Sequence, residues 1–473
     1  MSKGKEKLSQ EYEGLLESID LVDYKDNKHD IKDQHVQLMY IESIPNQAIA
    51  GHAFLVDAVD FPTLLPMIGE EKISVSFTRA EPAKESNAFL GGKLPSIKFE
   101  YPIIRLDGKN PDSGSRKRQT YTLHYCSKLP FINLNNLVYR SFKNMKYSDM
   151  VKKIFEQYIQ EEGTSTKPLI IEETKNSGDL HLSNISPLSA IRKIASRSIS
   201  KEDNGFLYVF YEGRDAYYFV TLHKLMKQDP QITLSCELKN VSKDSAGSFL
   251  LDRDVDKQLY NVDNYTRENS FSVLSSAMSG EGTSSLWTID PLIRRHYYNE
   301  FDLRGKDGAG DDYWKKFPHL GDKKPWTDKN KMFITPRRNM SYMITDFETS
   351  TDDYFSSRSY EQPANVPEDH LLHRISMINQ LDRNTITTTI TGDPRVNVGC
   401  VVKFNVPEML GVTDKKRPEM KDAWIQGNYL VLAVAHHFEN EDYKMTMKLV
   451  RDGFHTDIYN RDPKKYGGFS EIP

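Results

Sequence analysis

The feature that most constrains this chain is a set of short segments whose apolar residues recur at every second position. In GEEKISVSF, Ile73, Val75 and Phe77 alternate with Ser74 and Ser76; in YKMTMKLV, Tyr443, Met445, Met447 and Leu449 alternate with Lys444, Thr446 and Lys448. A period of two places successive side chains on opposite faces of a strand, so each segment turns one face to a core and the other to water or a partner. These runs gather at two ends of the chain. One set is VQLMYIESI, HAFLVDAV, KISVSF, SIKFEYPIIRL and TYTLHYC, and the other is TITTTI, CVVKFNV, NYLVLAVAHHF and YKMTMKLV. Gly69-Glu70-Glu71, Gly392-Asp393-Pro394 and Glu439-Asn440-Glu441-Asp442 supply turns between strands. The first set reads as a β-meander or small barrel.

The stretch between the two sets has a different period. After Ser148, Val151, Ile154, Phe155, Tyr158 and Ile159 recur at helical spacing, which predicts an amphipathic helix with Ser148 as its N-cap. Ser186-Pro187 starts a second helix through Leu188, Ile191, Ile194 and Ala195, with Arg192, Lys193 and Arg197 on its polar face. FLYVFYEGRDAYYFVTL follows, a hairpin turning at Glu212-Gly213-Arg214-Asp215. Helices followed by a hairpin predict a small α+β unit. Residues 1–33 are charged, with a short apolar patch at Leu15, Leu16, Ile19, Leu21 and Val22, and read as an arm. From 305 to 366 periodicity fades, as expected of an irregular insertion with a contact role. Leu371, Leu372, Ile375, Ile378 and Leu381 then form a helical stripe that Asn384 ends.

A chain of 473 residues is long enough for roughly three structural units. With 38% hydrophobic and 27% charged residues it has the composition of a globular protein, and no apolar run approaches the roughly 20 residues that span a bilayer, so no membrane insertion is expected. The N-terminus lacks the apolar core of a secretory signal, so synthesis and folding are expected in the cytoplasm. Cys126, Cys236 and Cys400 are distant from one another and read as small hydrophobes, with no disulfide framework or zinc site signalled. A net charge of -4 argues against a protein whose main task is gripping nucleic acid.

No constellation signals catalysis. His436 and His437 are adjacent on a predicted strand and so point to opposite faces, where they do not share a metal easily. Arg116-Lys117-Arg118 lies in the loop-like KNPDSGSRKRQ, and GKDGAGDD has glycines without the strand and helix a phosphate loop needs. Asp311-Asp312 and Asp352-Asp353 lack the ligand spacing of a calcium loop. The 67 acidic residues could hide a pair of glycosidase carboxylates, but nothing selects one, so no catalytic, cofactor-binding or metal residue is expected.

The order of these elements resembles that of the hub protein at the centre of contractile-phage baseplates, a family that includes the hub half of the spike protein in type six secretion. The resemblance is carried by residues 371–453, where a helix leads into TITTTITGDPRVNVGCVVKFNV and then NYLVLAVAHHFENEDYKMTMKLV, and is joined by GEEKISVSF and by the Ser186 helix with its hairpin. In outline it covers residues 34–455. It implies a β-dominated α+β fold with two tail-tube-like β-barrel domains flanking an inserted α+β middle domain. The expected boundaries are an arm at 1–33, the first barrel at 34–138 and the middle domain at 139–228 with a remainder at 276–304. Early strands of the second barrel fall at 229–275, with QITLSCEL foremost; the insertion is 305–366, the helix and closing strands 367–455, and a tail 456–473. The family further implies a homotrimer that forms a pseudo-sixfold ring in the tail baseplate of the virion. That ring would adapt a hexameric tail tube to a trimeric central spike, touch other baseplate or wedge proteins, and pass genome DNA without specific binding. A tail-associated cell-wall hydrolase or peptidase is the alternative. Gly69 and Gly399, each preceding an apolar strand, hint that the two barrels are related.

Overall fold

The computed structural model describes residues 14–65, 67–79, 94–111, 118–160, 167–236, 242–243, 249–250, 260–262, 264–268, 273–290, 295–303, 314, 317–321, 338–343, 366–406, 422, 424–439 and 442–454. Arg116, Lys117, the GKDGAGDD stretch, Asp311-Asp312, Asp352-Asp353 and the tail from residue 455 lie outside them.

The first barrel is built from β1 (Gly14–Val22), β2 (Lys28–Asp30), β3 (His35–Ser43), β4 (Ala50–Asp57), β5 (Lys72–Arg79), β6 (Ile97–Pro111) and β7 (Gln119–Cys126), with the helical turn α1 (Phe61–Leu64) after β4. Each of these pairings is antiparallel, and the expected alternation in β5 holds, with Ile73, Val75 and Phe77 all buried. β6 changes partner along its length, pairing with β5 from Ile97 to Pro102 and with β7 from Ile103 onwards. The arm expectation fails from Gly14: β1 pairs along β5 and buries Leu16, Ile19, Leu21 and Val22 in the barrel core. At roughly 1.5–3 kcal/mol per fully buried large aliphatic side chain, that patch is an integral part of the barrel.

The middle unit comprises α2 (Leu129–Asn135), β8 (Val138–Lys146), α3 (Tyr147–Ile154), β9 (Leu169–Ile171), β10 (Ser177–Ile185), α4 (Pro187–Ala195), β11 (Tyr208–Glu212), β12 (Tyr217–Thr221) and α5 (Leu222–Met226). Val151, Ile154, Phe155 and Ile159 are buried as the helical spacing predicts, the last two in a π-helical turn that extends α3. Ser148 is not the cap. Lys146 occupies that position, and the Ser148 amide donates inside the fold to Thr174 Oγ1 at 3.0 Å. Ser186 does precede Pro187 at the start of α4, but its hydroxyl bonds Ser189 Oγ rather than a backbone amide. The hairpin turns between Glu212 and Tyr217, as expected.

The second barrel takes β13 (Ile232–Ser235) and β16 (Asn264–Arg267) from the chain before the last helix, with the short ladder of β14 (Ser242–Lys243) and β15 (Phe249–Leu250) between them. After α6 (Val273–Ser279) come β17 (Thr283–Asp290), β18 (Arg295–Asp302) and β19 (Arg338–Met343), then α7 (Val366–Arg383), β20 (Thr385–Thr391), β21 (Val401–Asn405), β22 (Gly427–Glu439) and β23 (Asp442–Val450). QITLSCEL supplies β13, which pairs in parallel with β21. β17–β19 form a separate sheet whose Leu286 and Phe301 join the core of the second barrel rather than the core beneath α3 and α4, which corrects the assignment of 276–304 to the middle unit. β19 is a strand inside the stretch expected to be irregular. The α7 stripe holds at the buried Leu372 and Leu381 but not at Ile378, which is half-exposed; Ser376 and Gln380 are buried instead, with Ser376 Oγ donating to the Glu281 carbonyl at 2.6 Å and Gln380 Nε2 donating to Ser376 Oγ at 2.8 Å.

One continuous sheet runs through both barrels in the order β16-β20-β23-β22-β3-β4-β7-β6-β5-β1-β2, with β13-β21 attached at β22. The splice is β22, thirteen residues long. Gly427 to Leu430 pairs with β21, and Ala433 to Glu439 pairs with β3 of the first barrel. The register shift between Val431 and Ala433 lies between these two stretches. Gly69 (φ 98°) and Gly399 (φ 85°) share the left-handed conformation that favours glycine.

Candidate functional site at the junction of the barrels

The tip of the β22–β23 hairpin enters the first barrel. Phe438 and Tyr443 belong to that barrel's core, with rings stacked 4.3 Å apart, and Gly14 of β1 approaches so closely that a Cβ there would lie 2.2 Å from Tyr443 Cβ. The strand alternation separates the two histidines as foreseen. His436 is fully buried and shares a 2.8 Å hydrogen bond with Tyr443 Oη, while His437 faces the other side of the sheet. Burial, reinforced by Arg214, lowers the His436 pKa to about 3, so its ring is neutral at physiological pH.

Behind the tip lies a buried ionic knot. Arg79, at the end of β5, donates to the Gly392 carbonyl at 2.7 Å and sits 3.6 Å from the Asp393 carboxylate; both side chains are almost wholly buried. Asp393 also accepts from Arg395 Nη2 at 2.8 Å and from Tyr260 Oη at 3.1 Å. Burial pushes the Asp393 pKa up, but Arg395 and Arg79 outweigh it and hold the carboxyl below its ordinary value. The turn residue Asp393 is thus an internal tie between barrels. Nothing local in Gly392-Asp393-Pro394 reveals this, because the partner lies more than three hundred positions away in sequence.

The middle unit is fastened to both barrels at the same place. Arg214, in the turn of the hairpin, donates to the Pro394 carbonyl and to Asn397 Oδ1 of the second barrel. Glu212 accepts from Ser127 Oγ of the first barrel and from Lys167 Nζ. Glu42 of β3 is completely buried, and burial raises its pKa to about 7 against the pull of Arg214 and Lys167. On the other side, Arg374 of α7 donates to the Phe206 carbonyl at 2.7 Å. A cavity of about 470 Å³ opens where the three parts meet, with Ile44, Leu381, Leu430 and Leu432 in its apolar wall and Arg192 and Lys448 among its polar groups.

Catalytic geometry would need polar groups brought together. Among the described residues, no group of three or more His, Cys, Asp or Glu is placed to share a metal ion. An Asp452–His319 pair exists, but both side chains are buried and Trp314 stacks on the imidazole at 3.7 Å, so the dyad is walled in. Cys126 and Cys400 are buried and Cys236 is half-buried, and burial pushes the Cys400 thiol up to about 12, far from a reactive thiolate. No described helix is long and apolar enough to cross a membrane.

These observations define a class: two β-barrels fused through a common sheet and pinned to an α+β unit by buried charges. No family model matches the chain, and no curated protein matches it. Solved structures do. The tail protein from Neisseria meningitidis MC58 superposes with a TM-score of 0.50 at 10% identity, covering 92% of this chain and 97% of its own. The 43 kDa tail protein of prophage MuSo2 from Shewanella oneidensis gives 0.51 at 8% identity, covering 92% and 99%. The fold is that of these tail proteins, and its β-dominated two-barrel plan agrees with the baseplate-hub resemblance read from the sequence.

Proposed function

We propose that this chain is the structural hub of a contractile-tail baseplate, acting as a homotrimer without catalytic activity. The observation that carries the reading is the eight-strand span β16-β20-β23-β22-β3-β4-β7-β6, which runs unbroken across both barrels. Both ends of this span are open. Among the described residues β16 pairs only with β20, and from Ile103 onwards β6 pairs only with β7. Open edges present unpaired N–H and C=O groups to a neighbouring chain. Different edges meeting head to tail make a heterologous contact, which closes into a ring when the rotation allows. Three copies, each with two barrels, would form a ring with sixfold pseudo-symmetry above and threefold symmetry below. It would suit a hexameric tube on one side and a trimeric spike on the other, with other baseplate proteins around it. DNA would pass through its lumen.

The rigid junction fits that role, since a load-bearing adaptor must keep its barrels in fixed relation. The test is the solution mass of the purified 54.5 kDa chain by light scattering over a range of concentrations, with class averages of the particles by electron microscopy. A trimer with a six-lobed projection is expected. A chain that stays monomeric at all concentrations, and also when mixed with a tail-tube protein and a trimeric spike protein, would overturn the reading.

A further inference from the structure

One face of the shared sheet carries a row of residues that no part of the hub reading uses. The register aligns Lys444 of β23, His437 of β22, Met39 of β3, His52 of β4, His124 of β7 and Arg105 of β6 as successive cross-strand partners. At about 4.8 Å between strands the row is about 24 Å long. The His52 and His124 rings lie 5.8 Å apart, and all three histidines are half-buried, on the face opposite the barrel core.

The fixed charges around them nearly cancel. Lys444 pairs with Asp442 at 3.4 Å, Lys448 with Glu268 at 3.2 Å, and Arg105 with Asp107, which also lies 3.2 Å from His124 Nε2. Glu439, two residues from His437, is left over, and β3 contributes only Gln37 and Met39 to the same rows. Thr387, Thr389 and Thr446 continue the face without charge. With neutral imidazoles the patch therefore carries one net negative charge, and with three imidazolium ions it carries two net positive charges.

We propose that this face is a proton-gated binding surface for double-stranded nucleic acid, indifferent to a polyphosphate at neutral pH and attractive to it in acid. Burial lowers the pKa of each histidine, and neighbours lower it further: His124 acts on His52, Arg105 on His124, and His52 on His437 against the opposing pull of Glu439. The three imidazoles therefore take up their protons at lower pH than a free histidine does. A bound polyanion favours the charged form and draws protonation upward. As the wall of a channel, this face rests on the ring reading above; as a binding surface it stands alone.

The probe is a fluorescently labelled random-sequence DNA duplex, titrated with the full chain at fixed low salt from pH 7.5 to 5.0. Affinity should rise by about tenfold or more on acidification and fall steeply with added salt. His52→Gln, His124→Gln and His437→Gln together should abolish most of that gain, while His29→Gln, His181→Gln and His296→Gln, on other elements, should leave it intact. Glu439→Gln removes the residual negative charge and should strengthen binding at neutral pH, while His437, losing the carboxylate that raises its pKa, should charge only at lower pH. Equal losses from the two histidine triples, or a full gain retained by the first, would overturn the proposal. Light scattering on the same samples separates the two ideas, because a trimer lacking the acid-dependent gain removes only this surface, and a monomer showing it removes only the ring.

Discussion

Replacing Asp393 by alanine removes the carboxylate from the knot that joins the barrels. Arg79, 1% exposed, would keep its bond to the Gly392 carbonyl but lose its counter-charge, and Arg395 and Tyr260 would lose their acceptor. Breaking a buried ion pair by deleting one partner costs about 3–5 kcal/mol, because the surviving charge is left in a medium that solvates it poorly. We therefore expect Asp393→Ala to cost about 4 kcal/mol. At about 2.1 cal/mol/K of unfolding entropy per residue, a chain of 473 residues unfolding as one shifts by about 1 °C per kcal/mol, so the melting temperature should fall by roughly 4 °C. Arg79→Met should cost less, about 2 kcal/mol, because Asp393 keeps the salt bridge to the half-exposed Arg395. The double variant Arg79→Met with Asp393→Ala removes both buried charges and should be more stable than the sum of the singles predicts, by at least about 1.5 kcal/mol. Urea unfolding followed by tryptophan fluorescence gives all four free energies. Additivity within about 0.5 kcal/mol would refute the argument, since it would mean that the two charges do not depend on each other in the interior.

Three further expectations concern the same interior. A Cβ at Gly51 would lie 2.1 Å from the Met39 carbonyl oxygen and 2.5 Å from Tyr125 Oη, so Gly51→Ala should push β4 from β3 and cost about 3 kcal/mol by urea unfolding; a variant as stable as the parent would show that the strands do not approach in this way. His223 and His436 are buried, with pKa values lowered to about 4 and about 3, below the ordinary value of 6.5. The unfolded chain binds protons that the folded chain refuses, so stability is full above pH 6.5 and falls as pH drops towards 4, by about 1.4 kcal/mol per pH unit for each histidine; His223→Leu should remove one such slope, and an unchanged pH profile would count against the assignment. Glu42 has the opposite sign. Its folded pKa of about 7 stands above the ordinary 4.5, so its contribution is full below pH 4.5 and lost as pH rises to 7. Glu42→Gln should equal the parent near pH 4.5 and exceed it by about 3 kcal/mol at pH 8, and a variant less stable than the parent at pH 8 would contradict that.

What could be read from the sequence follows a physical line. β5 and β23 are half-buried strands without irregularity, and their alternation is the direct image of one wet and one dry face. β1 escaped because its register shifts between Leu16 and Ser18, which breaks the period among charged neighbours and makes GLLESIDLV look like a polar arm. The α7 stripe holds at Leu372 and Leu381, which join the core, but not at Ile378, which is exposed; the adjoining buried positions Ser376 and Gln380 escaped because Ser376 donates to the Glu281 carbonyl and Gln380 to Ser376. The junction was illegible in principle. Arg79, Asp393 and Glu42 are ordinary surface types in sequence, and only the fusion of two barrels along β22 makes their burial compulsory. That fusion also explains why charge is tolerated there. Apolar side chains of similar volume would fill the space at equal or lower free energy, but they would allow one barrel to slide against the other. Oriented hydrogen bonds from Arg79 to Gly392 and from Arg214 to Pro394 are satisfied in only one relative placement of the two barrels, so the charges that cost most to bury also fix the geometry of the junction.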